Sequence, residues 1–146
     1  MKQENVISEF SGKYDFLSNF SKSKIKYEGI TYPTVEHAFQ AAKSLNNLKR
    51  LEIASAPTPG QAKRIGRRVN LRPDWEEVKI NVMRDCLRLK FEIPELCEAL
   101  LNTDNAELIE GNWWGDKFWG MCNGVGENNL GKLLMEVRDE IRRNKH

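Results

Sequence analysis

The sequence predicts a mainly α-helical α+β domain with small β elements at its edge, and three observations carry the prediction. Trp75, Val78, Val82, Cys86 and Leu89 recur at steps of three and four, with Met83 and Leu87 widening the stripe; that is the period of a helix burying one face. Leu130, Leu133, Leu134, Val137 and Ile141 repeat the pattern near the C-terminus. Ile25-Lys-Tyr27 and Ile30-Thr-Tyr32 alternate on either side of Glu28-Gly29, a hairpin signal in which the glycine supplies the turn.

In chain order, residues 1–10 read as a short strand, Val6–Phe10, or a loosely held end, and Gly12 to Asn19 as a turn-rich aromatic segment. The hairpin feeds a helix that opens at Thr34, whose hydroxyl caps the first turn beside Pro33. Helix formers follow through Ala42, and Asn46 and Asn47 end the run. A short helix over Leu48–Ala54 is broken by Pro57. Thr58-Pro59 pairs an N-cap with a proline at the first helical position and starts a helix through Arg68. Arg72-Pro73-Asp74 starts the longest helix, which stops before Pro94, and a further one spans Pro94–Leu101. Glu107–Glu110 is a short strand or extended segment. From Gly111 to Gly126, glycines alternate with Trp113, Trp114, Phe118 and Trp119, a loop whose backbone can approach something closely. The last helix covers Asn129–Arg143. With no repeat, low-complexity tract or linker, residues 1–146 read as one compact helical domain with small strand elements.

Composition narrows the classes. The chain is 40% hydrophobic and 30% charged, ordinary for a soluble domain, and a formal net charge of +2 is too small to argue nucleic-acid binding from the total. No apolar run approaches the roughly 18 residues of a membrane span. The opening MKQENVISEF lacks the apolar stretch of a secretory signal, so cytoplasmic residence is expected. Three cysteines, Cys86, Cys97 and Cys122, include no CxxC pair, against both a disulfide framework and a structural zinc site. The first two fall in helical apolar patterns, while Cys122, in a glycine-containing loop, is the one open to reactivity. With two histidines, one of them the terminal His146, a histidine metal centre is not expected.

Several groupings are candidates for chemistry, each with a bland counterpart. Glu36, Gln40 and Lys43 fall at i, i+4 and i+7, an acid, an amide and an amine on one helix face, with Val35, Ala38, Phe39 and Ala42 on the neighbouring one. This is either a catalytic wall or the solvated side of an ordinary amphipathic helix. Trp119, three residues after Asp116 and directly before Gly120, can stack on a flat ring beside a carboxylate, with Glu110 near in sequence; the tryptophans can equally fill a small core. Lys63, Arg64, Arg67 and Arg68 suit a phosphate or are solvated charge. Gly126-Glu-Asn-Asn-Leu-Gly131 opens the last helix and offers backbone N–H groups to an anion, a weak signal in itself. Ser18-Asn19 is a turn or a holder of a substrate amide edge, and His37 a structural histidine or a base.

Taken together, several stretches resemble the NADAR (NAD and ADP-ribose) superfamily of YbiA-type proteins. They are Leu17–Phe20 (LSNF), the helix YPTVEHAFQAAK, and AKRIGR at Ala62–Arg67. Trp75, Val82-Met83, Lys90-Phe91 and Leu108–Glu110 follow, then DKFWG at Asp116–Gly120 and NNLGKLLMEVR at Asn128–Arg138. The likeness spans nearly the whole chain. It implies a small, mostly helical fold and N-glycosidase activity, cleavage between ribose C1′ and a nitrogen. The implied substrates are ADP-ribosyl or phosphoribosyl compounds: ADP-ribose on guanine in DNA or RNA, or early riboflavin-pathway intermediates. Carried over by similarity, Glu36, Lys43, Asp116 and Trp119 form the core site, with Asn19, Lys63, Arg67, Glu110 and Asn128 as binding candidates. Gln40 joins them from its place between Glu36 and Lys43. No cofactor, metal or membrane is called for. The Gly111–Gly115 insert and the MCNGVGE segment depart from the pattern and bear on substrate choice. Two mechanisms stay open, Lys43 as a nucleophile forming a Schiff base or direct attack by water, and the alternative to an enzyme is a non-catalytic ADP-ribose or NAD reader. Seven residues rise about 10.5 Å along a helix, so Glu36 and Lys43 can meet only through their side chains.

Overall fold

The computed structural model describes residues 5–144, so the strand expected near the N-terminus is tested only from Asn5 onward; residues 1–4, part of the segment read as non-secretory, and His146 lie outside it. In chain order the first elements are β1 (Val6–Ile7), a 3-10 turn (Gly12–Leu17), β2 (Ile25–Tyr27) and β3 (Ile30–Tyr32). Helices α1 (Val35–Ala42), α2 (Asn47–Ala54), α3 (Pro59–Gly66), α4 (Trp75–Lys90) and α5 (Pro94–Leu101) follow. Then come β4 (Glu107–Leu108), β5 (Gly111–Asn112), β6 (Met121–Cys122) and α6 (Asn129–Asn144). The fold is mainly helical with minor β elements, as expected. It divides into two compact units, Asn19–Ile93 and the residues up to Ser18 together with those from Pro94 on.

Within the Asn19–Ile93 unit, β2 and β3 pair antiparallel, Ile25 with Tyr32 and Tyr27 with Ile30. Glu28 (φ 50°) and Gly29 (φ 87°) both occupy the left-handed region, as a two-residue primed turn requires. Helix α1 starts where the sequence placed it. Thr34 Oγ1 accepts from the His37 amide, satisfying one of the first-turn donors. The helix packs on α2, α3, α4 and both hairpin strands, and all eight of its residues are buried. No solvated face exists on it. The Phe39 and Trp75 rings meet at 5.0 Å between centroids, and Val35, Ala38, Ala42, Ile53, Ala62, Val82, Met83 and Leu87 are among the buried residues of this unit's core.

Two boundaries differ from expectation. Helix α1 ends at Ala42, and Asn46 caps the start of α2 by accepting from the Lys49 amide, rather than ending α1. An Asn side chain serves a helix start as readily as a stop, and the sequence does not distinguish them. Helix α3 ends at Gly66, with Arg67 at its C-cap, two residues before the expected limit. Helix α4 starts after Asp74, as expected, with the Asp74 carboxylate taking both forks of Arg72. Lys90, on the otherwise apolar α4 stripe, is wholly buried, with Nζ donating to Ser21 Oγ at 3.1 Å.

In the other unit, β1 pairs parallel with β4, Val6 opposite Glu107 and Ile7 opposite Leu108, so the expected strand Val6–Phe10 shortens to two residues. The glycine–aromatic segment is not wholly loop: β5 and β6 pair within it, and Cys122 is buried in β6, no exposed reactive thiol. Helix α6 buries Leu130, Leu133, Leu134 and Val137 as its periodicity predicted, while Arg138 is buried against Thr103 Oγ1 at 2.8 Å.

Thr34 Oγ1 serves twice, accepting from the His37 amide and pairing with its Nδ1 at 2.8 Å. Thr34→Ala is expected to cost about 1–2 kcal/mol and to lower Tm by about 3–8 °C, read by thermal denaturation. Thr34→Ser, which keeps the hydroxyl, recovers most of that loss.

Candidate active site

The sequence-predicted residues fall into two groups. Asn19, Glu36, Gln40, Lys43, Lys63 and Arg67 belong to the Asn19–Ile93 unit; Glu110, Asp116, Trp119 and Asn128 belong to the other.

Glu36 and Gln40 lie one turn apart on α1, 7% and 3% exposed, so burial rather than solvation is what their spacing encodes. Gln40 Nε2 donates to Glu36 Oε2 at 2.7 Å, a charge-assisted bond that fixes the carboxylate. The Glu36 amide donates to the Asn19 carbonyl at 3.1 Å, which ties the segment carried by Asn19 to the helix start. Two buried amide oxygens here, Asn19 Oδ1 and Gln40 Oε1, meet no donor among the described residues. An orphaned buried acceptor costs about 1–3 kcal/mol, so such groups mark places where a ligand or water completes the bonding. Gly66 on α3 is packed on Gln40: a Cβ there would overlap Gln40 Oε1.

Lys43 follows the last turn of α1. Its carbonyl accepts from the Arg72 amide at 2.8 Å, and Arg72 Nη1 donates to the Ala42 carbonyl at 3.3 Å, so the carbonyl end of the helix is held by a cation that also suits its dipole. The backbone is fixed while the amine is not. Nζ lies 5.9 Å from the Phe39 ring centroid and makes no hydrogen bond or ion pair with any described residue. Burial holds its pKa below the ordinary lysine value; the Glu36 carboxylate raises it, and Lys63, Arg67 and Lys79 press it down. Glu36, Lys63 and Arg67 thus act on one amine.

His37 is not part of this wall. Its Nε2 lies 3.0 Å from the Ala56 carbonyl, which can only accept, so Nε2 carries the proton and Nδ1 accepts from the Thr34 hydroxyl. Burial keeps the ring below its usual pKa, and the structural alternative holds.

In the second group, Asp116 Oδ1 accepts from the amides of Phe118 (3.1 Å) and Trp119 (2.9 Å), closing a turn that sets the Trp119 ring edge-on to Phe118 at 4.8 Å. Asn112 braces that turn, accepting from the Gly115 and Asp116 amides and donating to the Asp116 carbonyl. The sequence reading missed Asn112, whose bonds to the Gly115 and Asp116 amides reach three and four residues on, beyond the two-residue span of an Asx-turn. Gly120 lies against Glu110, where a Cβ would overlap both the carbonyl and Oε1. Asn128, expected to bind substrate, has its amide engaged on backbone: Oδ1 accepts from the Glu110 amide and Nδ2 donates to the Leu108 carbonyl. The anion seat expected at the start of α6 is also closed, because the amides of Asn128, Asn129 and Leu130 donate to the carbonyls of Gly120, Phe118 and Trp119.

Comparison with known proteins gives four findings. A family model described as the NADAR domain matches residues 2–142. The N-glycosidase YbiA of Shigella flexneri serotype 5b (strain 8401) is 44% identical over 145 residues, 95% of this chain and 90% of that one. A chloroplastic riboflavin biosynthesis protein of Zea mays, PYRR, is 37% identical over 161 residues, covering 95% of this chain but 26% of that longer protein. Among solved structures, the NMR structure of E. coli YbiA matches with a TM-score of 0.87 at 42% identity, over 99% of this chain and 89% of that one.

The Gly66–Gln40 contact gives a measurable consequence. Alanine is the better helix former by about 1 kcal/mol, yet Gly66→Ala is expected to destabilise by about 1–3 kcal/mol through overpacking. In a urea-unfolding double-mutant cycle, Gln40→Ala should absorb part of that cost, so the double variant loses less than the two single variants together.

Proposed function

The chain belongs to the NADAR domain family and is a hydrolase of N-glycosyl compounds; from that premise we propose that it cleaves the bond between ribose C1′ and a base or amine nitrogen, with Glu36, Lys43 and Asp116 as catalytic groups. The observation that carries the reading is a carboxylate held by Gln40 on one buried helix and, at that helix's C-cap, a partly buried amine that makes no hydrogen bond or ion pair with a described residue. An amine in that state is a better nucleophile than a solvated lysine at the same pH, because less of it is protonated.

In the favoured sequence of steps, Lys43 Nζ attacks C1′ and gives up a proton to Glu36. The C1′–N bond breaks, and the departing nitrogen takes a proton from Glu36 as general acid. Opening of the sugar ring leaves an imine between C1′ and Nζ. Water adds to that imine, the C1′–Nζ bond breaks, and the free sugar leaves with Lys43 restored. Gln40 holds Glu36 in place throughout. Asp116 and Trp119 enter on the strength of the matching DKFWG stretch: Asp116 to oppose positive charge at C1′, Trp119 to stack on the base or ribose. Lys63 and Arg67 are assigned to a substrate phosphate, Asn19 and Glu110 to polar groups of the substrate, and Asn128 to positioning Glu110.

For the substrate, likeness to a riboflavin biosynthesis protein favours phosphoribosyl intermediates of that route. ADP-ribosylated guanine in nucleic acid is the second reading, drawn from the family resemblance and from the phosphate-sized charge of Lys63 and Arg67. Incubation with both substrates in parallel, with released base and sugar weighed by mass spectrometry, decides between them. Release from neither defeats the reading.

Two variants test the mechanism. Lys43→Ala is expected to lower kcat at least about a thousandfold, roughly 4 kcal/mol of barrier, and Lys43→Arg should not restore it, since guanidinium stays protonated. Borohydride added during turnover should leave a sugar-sized mass on Lys43; near-normal turnover of Lys43→Ala sinks the nucleophile. Arg67→Ala removes a charge that depresses the amine, so the Lys43 pKa rises and the ascending limb of kcat/KM against pH moves to higher pH.

A further inference from the structure

Helix α3 carries cations on two faces, and the proposed reaction uses one of them. Lys63 and Arg67 act on Lys43. Arg64 and Arg68, also spaced i, i+4, line a separate groove of about 460 Å³ between α2 and α3. Small-molecule sites typically occupy about 300–1,000 Å³, so the space suits a ligand rather than a few waters.

The lining has two chemical parts. Its floor is apolar, from Ala56, Pro57 and Ile65. The rim holds Arg64 and Arg68 on one side and, on the other, Lys49 paired with Glu52 at 2.8 Å. Three cations against one carboxylate leave a formal surplus of two positive charges. Both arginines are exposed and neither is ion-paired with a described residue. Within 63–68 four of the six residues are cationic and none is acidic. That gathers four cations in the last turn of α3 and just past its end at Gly66, as two pairs spaced i, i+4. A phosphomonoester carries about −1.5 to −2 charges at neutral pH and matches the surplus. A carboxylate or phosphodiester carries one and does not. Guanidinium forks also hold phosphate bidentately and stack on flat rings, and Pro57 and Ile65 offer the apolar bed such a ring needs.

We propose that the groove between α2 and α3 is a second binding site, for a phosphomonoester carried on a flat heterocycle, that is, a nucleoside monophosphate. Arg64 and Arg68 take the phosphate, and the Ala56–Pro57–Ile65 floor takes the ring. The Ala56 carbonyl accepts from His37, next to Glu36 in α1, so the occupant rests on an element tied to the catalytic helix without entering its wall.

The test is an NMR titration of the full 15N-labelled chain with adenosine monophosphate, and in parallel with adenosine and with inorganic phosphate. Saturable amide shifts are expected over residues 49–68, with adenosine and phosphate each binding at least tenfold more weakly, the size of effect about 1.4 kcal/mol produces. The double substitution Arg64→Ala with Arg68→Ala should weaken adenosine monophosphate at least tenfold, while Lys43→Ala leaves it unchanged. Because both arginines are exposed, their loss should not disturb the fold, which the spectrum itself reports. Shifts that centre on α1 and vanish in Lys43→Ala place the ligand in the proposed catalytic wall and overturn the second site. So does an affinity untouched by the arginine substitutions, equal binding of adenosine or phosphate alone, or no saturation up to about 1 mM. None of these outcomes bears on base release, so the glycosidase reading stands or falls separately.

Discussion

The complete burial of α1 is the constraint from which the rest of the Asn19–Ile93 unit follows. An eight-residue helix without a solvent face cannot leave its ends or its polar side chains to water. Thr34 caps its start and Arg72 holds its last carbonyls. Gln40 bonds Glu36, and the Asn19 carbonyl takes the Glu36 amide. Lys43, leaving the helix with its backbone clamped, is half-buried with its amine unengaged by described residues. Partial burial shifts that ammonium toward the neutral form against the pull of the Glu36 carboxylate, and the proposed mechanism uses the neutral form.

Close packing enforces the same arrangement. Gly66 brings the α3 backbone against the Gln40 amide, and Gln40 in turn orients Glu36, so a glycine on one helix sets a carboxylate on another. The price is an amide oxygen left without a donor, a cost of the kind usually retained at functional positions. In the other unit the polar side chains are spent differently. Asp116, Asn112 and Asn128 bond to backbone amides and carbonyls, and the loop bearing Trp119 owes its shape to them. One unit buries its acid and amine on and beside α1; the other uses its acids and amides to shape the loop that carries an indole.

Similarity and geometry answer different questions about function. Identity of 44% to an N-glycosidase over nearly the full chain fixes the reaction class. Which groups move protons and which bond forms first is a matter of burial and charge around Lys43 and Glu36. The substrate sits between the two, since the longer riboflavin relative shares this segment over only 26% of its own length. Lys63 and Arg67 act on the Lys43 amine while Arg64 and Arg68 line a separate groove, so the end of α3 presents cations in two directions.

Much of the architecture was legible in the residues themselves. The hairpin about Glu28-Gly29, the caps at Thr34 and Thr58, the stripes of α4 and α6 and the stop before Pro94 are all written in local spacing, because turns, caps and helical periods depend on neighbours in sequence. The candidates Glu36, Gln40 and Lys43 were visible in the same way. Their burial was not, since i, i+4 spacing reads identically on a wet face and on one enclosed by α2, α3, α4 and the hairpin. Lys90 inside the α4 stripe, Asn128 clamped to the Glu110 segment, the closed start of α6 and the role of Gly66 beneath Gln40 were equally out of reach. Each depends on a partner many residues away, and only the folded chain decides which polar group finds one and which is left for a ligand.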